Sequence, residues 1–408
     1  MDAFLTSAKH VLRPLAAFAL TFGWVVLQRF WSPPFVFVIY GNSKLRGATY
    51  PEWLLALGRL LGLLPITGFI RCGDQVGLVV GLLETIDEIE ADPCLVAGLH
   101  DRLMRNFPRS SVALAGRLPA LMHKAGLVIK PPFVGGFTGT CFAMRRIALA
   151  LAQQYIRETQ DKASESGTES THSGCDSDDG RDGMGPCEVK DFDSILINSN
   201  ILSVMSDSNS ARRAAASLTV AVIGGGGFVG SRLVEDLSRF FSKVVAFDPR
   251  FTEPAQCGNV LRTSNPESLG EAQVSLIFTP CGDDVAPLVS FLSADSIVAD
   301  DTHPCVAAGV QAKFQAADVT LLKAAAVNET HPVCFYPKLP NFYHNSIPGC
   351  LLEALVVARL DHTVSENFER FCQQAEALGF GPQLMSDATI FDKCGEPTTN
   401  QGRMTEYR

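Results

Sequence analysis

Hydrophobic and polar positions follow two rhythms along this chain. Continuous apolar runs, typical of strands buried on both faces, occur at 35–40, 218–223, 244–247, 274–280 and 296–301. Apolar residues at helical spacing lie between or after them, most clearly at 143–156, 231–237 and from 351 onward. This alternation predicts an α/β protein, with a Rossmann-type doubly wound parallel sheet preceded by an apolar α/β amino-terminal domain.

The amino-terminal segment is the most apolar part of the chain. An uncharged run of 15 residues, Pro14 to Gln28, lies between Arg13 and Arg29, and it is shorter than the ~20 residues that a spanning helix needs. The run predicts a buried or interfacial helix, and a short membrane anchor stays open as the alternative. The stretch Leu54 to Ile70 predicts a pair of helices on a core or on a hydrophobic surface.

The segment after the strand at 218–223 carries the most specific motif. Gly225, Gly227 and Gly230 satisfy G-x-G-x-x-G, and Gly224 fits a looser spacing with the last two. Glycines at this position permit a tight turn, and the following helix offers free N–H groups to a pyrophosphate. A strand before and a helix after the motif predict a dinucleotide site, with a Rossmann-like domain whose cleft serves another purpose as the alternative.

The next predicted strand ends at Asp248, 18 residues beyond Gly230. A carboxylate at this point accepts hydrogen bonds from ribose hydroxyls, which favours NADH. Arg250 follows two residues later and is placed to hold the 2′-phosphate of NADPH. The sequence therefore predicts NADPH or NADH as the cofactor.

Three further polar residues follow predicted strands. Cys281 directly follows the run at 274–280, Asp301 is the last residue of the run at 296–301, and His303 comes two residues later. The carboxyl ends of parallel strands face the ligand crevice of an open sheet. These side chains are therefore candidates for the site, with a structural or solvated role as the alternative for each.

A late helix opens with a cysteine. Pro348 and the following glycine prevent an earlier start, so Cys350 is predicted in the first turn, where the helix dipole favours a thiolate. Such a thiol suits a covalent nucleophile, and a buried structural thiol is the alternative. Glu353, one turn later, is either a proton shuttle or a solvated first-turn acid. His331 and His344 are candidate acids preceding the cysteine.

Composition narrows the range of partners and metals. The chain carries 34 Lys/Arg and 43 Asp/Glu without a basic patch, which argues against nucleic acid as a partner. Its 12 cysteines occur singly, with neither a metal-binding spacing nor a disulfide framework. We therefore expect no metal, reduced thiols and a cytoplasmic location, with membrane association through the amino-terminal apolar segment left open.

Several blocks resemble, in the same order, the aldehyde-forming long-chain acyl-[acyl-carrier-protein] reductases best known from cyanobacteria. They are a GGFT element at Gly135–Thr138, the nucleotide strand and turn at Thr219–Ser231, the start of a C-x-x-E-A helix at Gly349–Ala354, and a turn at Ala377–Phe380. The likeness covers roughly residues 135–384. Two features depart from the family, which uses NADPH: Asp248 favours NADH, and Asp300–Pro304 replaces a glycine-containing segment.

The resemblance implies that Cys350 carries the acyl group. The expected reaction reduces a fatty acyl thioester of acyl carrier protein or coenzyme A to an aldehyde, with hydride from NAD(P)H. One alternative is a soluble dehydrogenase of the shikimate or amino-acid type without covalent catalysis, because relatives have been labelled predicted amino-acid dehydrogenases. A second is a non-catalytic nucleotide-binding protein, and a membrane surface is a further candidate partner.

These observations divide the chain into five parts. A Ser-, Gly- and Asp-rich stretch without an apolar period, 160–192, predicts a disordered acidic insertion. The predicted folded parts are an apolar helix at 1–34, a substrate (acyl) domain at 35–159, the NAD(P)-binding domain at 193–340, and a helical segment with the candidate nucleophile at 341–408.

Overall fold

A computed structural model of the chain describes residues 30–41, 52–166, 209–337 and 346–385, together with residues 17, 19–24 and 26. Its strands are β1 (Phe35–Gly41), β2 (Ile66–Cys72), β3 (Gln75–Thr85), β4 (Ser111–Leu114), β5 (Thr219–Ile223), β6 (Lys243–Phe247), β7 (Ala255–Cys257), β8 (Val260–Thr263), β9 (Val274–Ile277), β10 (Ile297–Asp300), β11 (Thr320–Asn328), β12 (Val333–Tyr336) and β13 (Phe380–Met385). Its helices are α1 (Glu52–Leu60), α2 (Ile86–Ala91), α3 (Pro93–Asn106), α4 (Leu118–Lys124), α5 (Phe137–Ser166), α6 (Asn209–Ala215), α7 (Gly230–Leu237), α8 (Ala308–Ala316), α9 (Gly349–Arg359) and α10 (Phe368–Ala377).

The larger sheet has the strand order β13-β11-β10-β9-β5-β6-β8-β7. Its six inner strands are parallel, and in chain order they form the 3-2-1-4-5-6 arrangement of a dinucleotide-binding fold. The antiparallel strands β13 and β7 close its two edges. The predicted Rossmann-type doubly wound sheet is confirmed, and its crevice lies where the strand order reverses, between β5 and β9.

The central strand of this sheet is buried on both faces, as its continuous apolar run predicts. Val220 and Val222 pack in the layer that contains α5 and α7. Ala221 and Ile223 pack in the opposite layer, which contains α8. Because side chains alternate across a strand, burial on both faces requires an unbroken apolar sequence.

The smaller sheet has the order β12-β2-β3-β1-β4, with β1 parallel to both of its neighbours. Phe35 and Phe37 on β1 face a cluster that includes α9. Val36 and Val38 face the cluster formed with α3. An apolar α/β amino-terminal domain is therefore present, and α9 covers one face of it.

Helix α5 connects the two sheets. Phe142 and Ala143 near its start pack in the cluster with α9, whereas Ile147 and Leu151 pack against the larger sheet. The helix has 30 residues, about 45 Å at 1.5 Å per residue, and so exceeds the predicted 143–156 at both ends. It also covers the first residues of the predicted insertion at 160–192, whose remainder lies outside the described residues.

Strand pairing moves two of the predicted domain boundaries. Strand β12 lies within the predicted NAD(P)-binding part at 193–340, yet it pairs with β2 of the smaller sheet. The carboxyl-terminal part, predicted as helical, contains β13, which pairs with β11 of the larger sheet. Both are short edge strands, whose partners are set by tertiary contacts more than by local sequence.

The prediction of two helices at 54–70 is wrong in its second half. Helix α1 ends at Leu60, and β2 begins directly after Pro65. The alternating burial of β2 is the pattern of a strand, and Pro65 interrupts any continuing helix.

The structure also corrects the expectation that all thiols are reduced, because Cys305 is disulfide-bonded.

Candidate active site

The four predicted glycines form one tight turn between β5 and α7. Gly224 has a φ of +90°, and a Cβ there would lie 2.6 Å from the carbonyl oxygen of Phe278. A Cβ on Gly225 would lie 2.9 Å from the Cα of Ala246, and one on Gly230 would collide with the carbonyl of Gly224. Only glycine fits these three positions, so the turn stays close to the sheet and the helix start remains accessible.

This turn fits the pyrophosphate of a dinucleotide. At the start of α7, the N–H of Ser231 donates a hydrogen bond to the carbonyl oxygen of Gly227 at 3.0 Å. The N–H groups of a helix's first turn have no partner within the helix and carry the positive end of its dipole. A cradle without Cβ atoms in front of that end suits a phosphate anion.

Asp248 at the carboxyl end of β6 is buried and already paired. Its Oδ1 accepts from the N–H of Arg250 at 3.0 Å and from Nε at 2.8 Å, and its Oδ2 accepts from Nη2 at 2.7 Å. Oδ2 also accepts from the N–H of Gly226 at 3.1 Å. Burial favours a raised pKa, but the hydrogen bonds and charge of Arg250 outweigh it, so the pKa of Asp248 lies below its ordinary value.

The exposure of the two side chains differs sharply. Asp248 is 2% exposed, whereas the side chain of Arg250 is 70% exposed. The group that faces solvent at this end of the crevice is therefore the guanidinium. Its presence corrects the expectation of a free carboxylate for ribose hydroxyls, because four N–H donors already occupy that carboxylate.

Aromatic contacts join the glycine turn to the other half of the molecule. The guanidinium of Arg232 lies 3.9 Å from the ring centre of Phe137 and 4.3 Å from that of Phe228. Phe228 also lies 6.1 Å from the ring of His123 on α4. The nucleotide turn thus contacts both α4 and the start of α5.

Cys350 lies in the first turn of α9, as predicted. A Cβ on Gly136 would lie 3.3 Å from the Cβ of Cys350, so the predicted GGFT loop contacts the cysteine directly. The N–H of Gly116, two residues beyond β4, donates to the sulfur. The negative charge of Asp301, which follows β10, also acts on it. Cys350 therefore lies at the carboxyl end of β4 and within electrostatic range of the carboxyl end of β10.

The surroundings of Cys350 favour the thiol over the thiolate. The thiol is half-buried, and removal from water raises its pKa to about 12, although N–H groups of Gly116 and of the helix start act in the opposite direction. The expectation that the helix dipole gives a low pKa is therefore wrong. Desolvation exceeds the effect of the dipole here, and a nucleophilic Cys350 requires a base.

Asp301 is the candidate for that base, because its charge acts on the sulfur. Its half-buried carboxyl follows β10, and desolvation raises its pKa to about 7 against the opposing charge of Lys323. A carboxyl with such a pKa exchanges protons near neutral pH. Its neighbour His303 is exposed at the same loop.

A buried ion pair holds the loop that carries Asp301. Lys323 on β11 lies 3.3 Å from Oδ2 of Asp300 and donates to the carbonyl of Thr302 at 2.6 Å. Oδ1 of Asp300 accepts from the N–H of Thr302 at 2.8 Å. Because these contacts bracket Asp301 on both sides, its backbone position is fixed.

Glu353 has a different role from either one predicted. It is 1% exposed, and its oxygens accept from the N–H of Gly135 at 3.2 Å and of Thr138 at 3.0 Å. A solvated acid is therefore wrong. Burial raises the pKa of Glu353, and the carboxylate binds the amino-terminal turn of α5 instead of facing the crevice. It is a positioning residue that joins α9 to the GGFT loop.

The remaining sequence candidates are not brought to the sulfur. His344 lies outside the part of the chain that the structure describes. His331 lies beside Gly73 and Arg359, at the far end of α9, about 14 Å along the helix from Cys350. Cys281 precedes the short turn at 282–285, and its backbone N–H donates to Oδ2 of Asp284 at 3.1 Å.

Two functional candidates escaped sequence analysis. A Cβ on Gly116 would collide with the hydroxyl of Tyr40, so Tyr40 and Cys350 both contact this glycine. The sequence at Tyr40 shows only a strand end. Lys323 could have been noticed as a single charge inside an apolar strand.

No family model and no curated protein matches the chain. Among solved structures it is similar to a D-2-hydroxyisocaproate dehydrogenase, with 11% identity, coverage of 70% of this chain and 77% of that one, and a TM-score of 0.29. It is also similar to a D-lactate dehydrogenase with NAD+ from Lactobacillus jensenii, with 14% identity, coverage of 71% of this chain and 78% of that one, and a TM-score of 0.28. For an NAD-dependent formate dehydrogenase from Staphylococcus aureus the identity is 11%, the coverage is 70% of this chain and 79% of that one, and the TM-score is 0.24. Similarity at this level carries no argument about this chain, and its fold class rests on the strand order.

Proposed function

We propose that this chain is an NAD(P)H-dependent oxidoreductase that reduces a fatty acyl thioester to an aldehyde through Cys350. One observation carries the proposal: Cys350 at the start of α9 contacts the GGFT loop, and the charge of Asp301 at the end of β10 acts on its sulfur. The glycine turn fits a dinucleotide at the same edge of the larger sheet. Two blocks of the resemblance to acyl-[acyl-carrier-protein] reductases, the GGFT loop and the start of α9, are also in contact.

The first half of the proposed reaction is acyl transfer to sulfur. Because the pKa of Cys350 is about 12, its thiol must lose a proton as it attacks the thioester carbonyl. Asp301, with a pKa of about 7, accepts that proton and passes it to the sulfur of the departing carrier. The products are a Cys350 thioester and a free carrier thiol.

The second half is reduction of that thioester. The glycine turn would hold the cofactor, and a nicotinamide bound there would supply the hydride that the carbonyl carbon needs. The resulting anion on the Cys350 adduct accepts a hydrogen bond from the hydroxyl of Tyr40. Breaking the carbon–sulfur bond then releases the aldehyde, returns an electron pair to sulfur, and a solvent proton restores the thiol through Asp301.

Substitution of the cysteine tests this proposal. We expect Cys350→Ser to abolish the mass increase that the wild type shows after mixing with a long-chain acyl-coenzyme A, because the sulfur that carries the acyl group is gone. NADPH binding should stay within about twofold, since the glycine turn is intact. Cys334→Ser is the matched control, because Cys334 is another half-buried thiol on β12. Acylation of the Cys350→Ser variant would contradict the proposal.

A non-covalent dehydrogenase is the second candidate, because desolvation disfavours the thiolate form of Cys350. In that reaction Asp301 exchanges the proton of a substrate hydroxyl or amine while the nicotinamide exchanges the hydride. Absorbance of the reduced cofactor separates the two candidates. Turnover with acyl thioesters that Cys350→Ser abolishes supports the first, and turnover with hydroxy or amino acids that this variant retains supports the second.

A further inference from the structure

Large apolar side chains are unusually exposed in one part of the molecule. Of the thirteen that the described residues expose, nine lie within residues 20–61: Leu20, Phe22, Val26, Phe30, Trp31, Trp53, Leu57, Leu60 and Leu61. Exposed apolar residues scattered singly need no explanation, but a concentration of this kind marks an interaction surface. These nine residues are called the apolar face below.

Helix α1 has two apolar sides, and one of them is exposed. Trp53, Leu57 and Leu60 follow at i, i+4 and i+7, which places them on one side of the helix. They are 63%, 40% and 81% exposed, whereas Leu55 on the other side is 2% exposed. The core therefore uses one side of α1, and a second apolar side remains uncovered.

Residues 19–24 are helical and lie close to the start of β2. The hydroxyl of Thr21 accepts from the N–H of Ile66 at 2.9 Å, and Trp24 packs in the core against Phe107 at 5.8 Å. Ile66 follows Leu60 and Leu61 by one short loop. Both segments that carry the exposed side chains thus meet at the start of β2.

Charge indicates what covers this surface. Residues 1–50 contain five Lys/Arg and one Asp/Glu, whereas the whole chain has 34 and 43. Five of the nine side chains belong to this basic stretch of sequence, and apolar side chains that include tryptophan within a positively charged sequence suit the boundary between acyl chains and anionic headgroups. A spanning segment is not needed for such contact, and no helix in the described residues is long and apolar enough to cross a bilayer.

We propose that the apolar face docks on the surface of an anionic membrane, with its side chains among the lipid acyl chains. The contact is monotopic. It rests on the exposure and charge of the amino-terminal part, so it is independent of the reaction at Cys350.

Flotation of the full chain with vesicles tests the proposal. We expect the wild type to float with vesicles of phosphatidylcholine and phosphatidylglycerol, more weakly with phosphatidylcholine alone, and more weakly in high salt. The double variant Trp53→Glu/Leu60→Glu should lower the partition coefficient at least about tenfold, because each side chain loses its apolar burial. Val128→Glu, at a residue 69% exposed elsewhere, should bind like the wild type.

Three results would overturn the proposal. They are a wild type that stays unbound with both vesicles, a double variant that floats unchanged, and a wild-type dimer in light scattering that the double variant dissociates. The last would assign the apolar face to a second copy of the chain. Circular dichroism checks that the double variant is folded, and if it is not, Leu57→Ser provides the same comparison with a milder change.

Discussion

At the scale of single residues, proton exchange in the crevice depends on Asp301. Its pKa of about 7 means that the carboxylate form increases as pH rises from 6 to 8, and this form is the base that Cys350 requires. We expect kcat/KM for acyl thioesters to rise with pH through an apparent pKa of about 7. In Asp301→Asn this rise should disappear, and kcat should fall about 10²–10⁴-fold.

The control for this profile is the exposed neighbour. His303→Asn removes an imidazole from the same loop without removing the carboxyl. Because the pKa of His303 is lowered to about 3, this imidazole does not change charge between pH 6 and 8, and the pH profile should match that of the wild type. An unchanged rise in Asp301→Asn would contradict the assignment of the base. Binding of NADPH to both variants checks that the larger sheet is intact.

The pair of Asp248 and Arg250 governs the choice of cofactor. We expect the wild type to prefer NADPH, because the exposed guanidinium meets the 2′-phosphate while the carboxylate is occupied. Arg250→Ala removes the phosphate contact and frees the carboxylate for ribose hydroxyls. The ratio of kcat/KM for NADPH to that for NADH should therefore fall at least about tenfold, in line with ~1.5–3 kcal/mol for a hydrogen bond to a charged group.

Steady-state rates with each cofactor measure that ratio. Arg239→Ala, at the end of α7, removes an arginine away from the crevice and should leave the ratio unchanged. A ratio that stays constant in Arg250→Ala would show that the guanidinium does not contact the cofactor.

At the scale of elements, the start of α9 and the start of α5 form a close crossing. A Cβ on Gly139 would collide with the carbonyl of Gly349 and lie 2.9 Å from the N–H nitrogen of Glu353. We expect Gly139→Ala to lower the free energy of unfolding by about 1–3 kcal/mol or more, because two backbones must separate. Urea denaturation measures this change.

Gly98→Ala is the matched control for that substitution. Gly98 lies within helix α3, and a Cβ there meets nothing within 4 Å. Alanine at this position should raise the free energy of unfolding by about 0.5–1 kcal/mol, because it lowers the backbone entropy of the unfolded chain. Equal effects of the two substitutions would contradict the close crossing.

At the scale of the whole molecule, local patterns predicted the larger sheet well. The strand, glycine turn and helix at 219–237 are adjacent in sequence, so their periodicity and spacing were sufficient. The environment of Glu353 was not predictable, because its partner Thr138 is 215 residues away. The pKa of Cys350 also depends on two distant residues, Gly116 and Asp301, which no local pattern reports.

The edge strands show why domain boundaries were harder to predict than the sheet. Strands β12 and β13 have four and six residues, and neither has an apolar run that identifies its partner. Each joins a sheet built mainly from another part of the chain. Contacts between distant segments decided their pairing, whereas the inner strands were decided by burial on both faces.

Because of the placement of β12 and β13, neither sheet is formed by one continuous stretch of the chain. Strand β12 belongs to the smaller sheet but follows β5–β11 of the larger sheet in the chain, and β13 belongs to the larger sheet but follows β12. Helix α9, which covers the smaller sheet, also comes after β5–β11. A gene fragment cut at either boundary would deliver one sheet with a bare edge and an uncovered apolar layer. We therefore expect neither sheet to fold stably from a fragment that ends at either boundary.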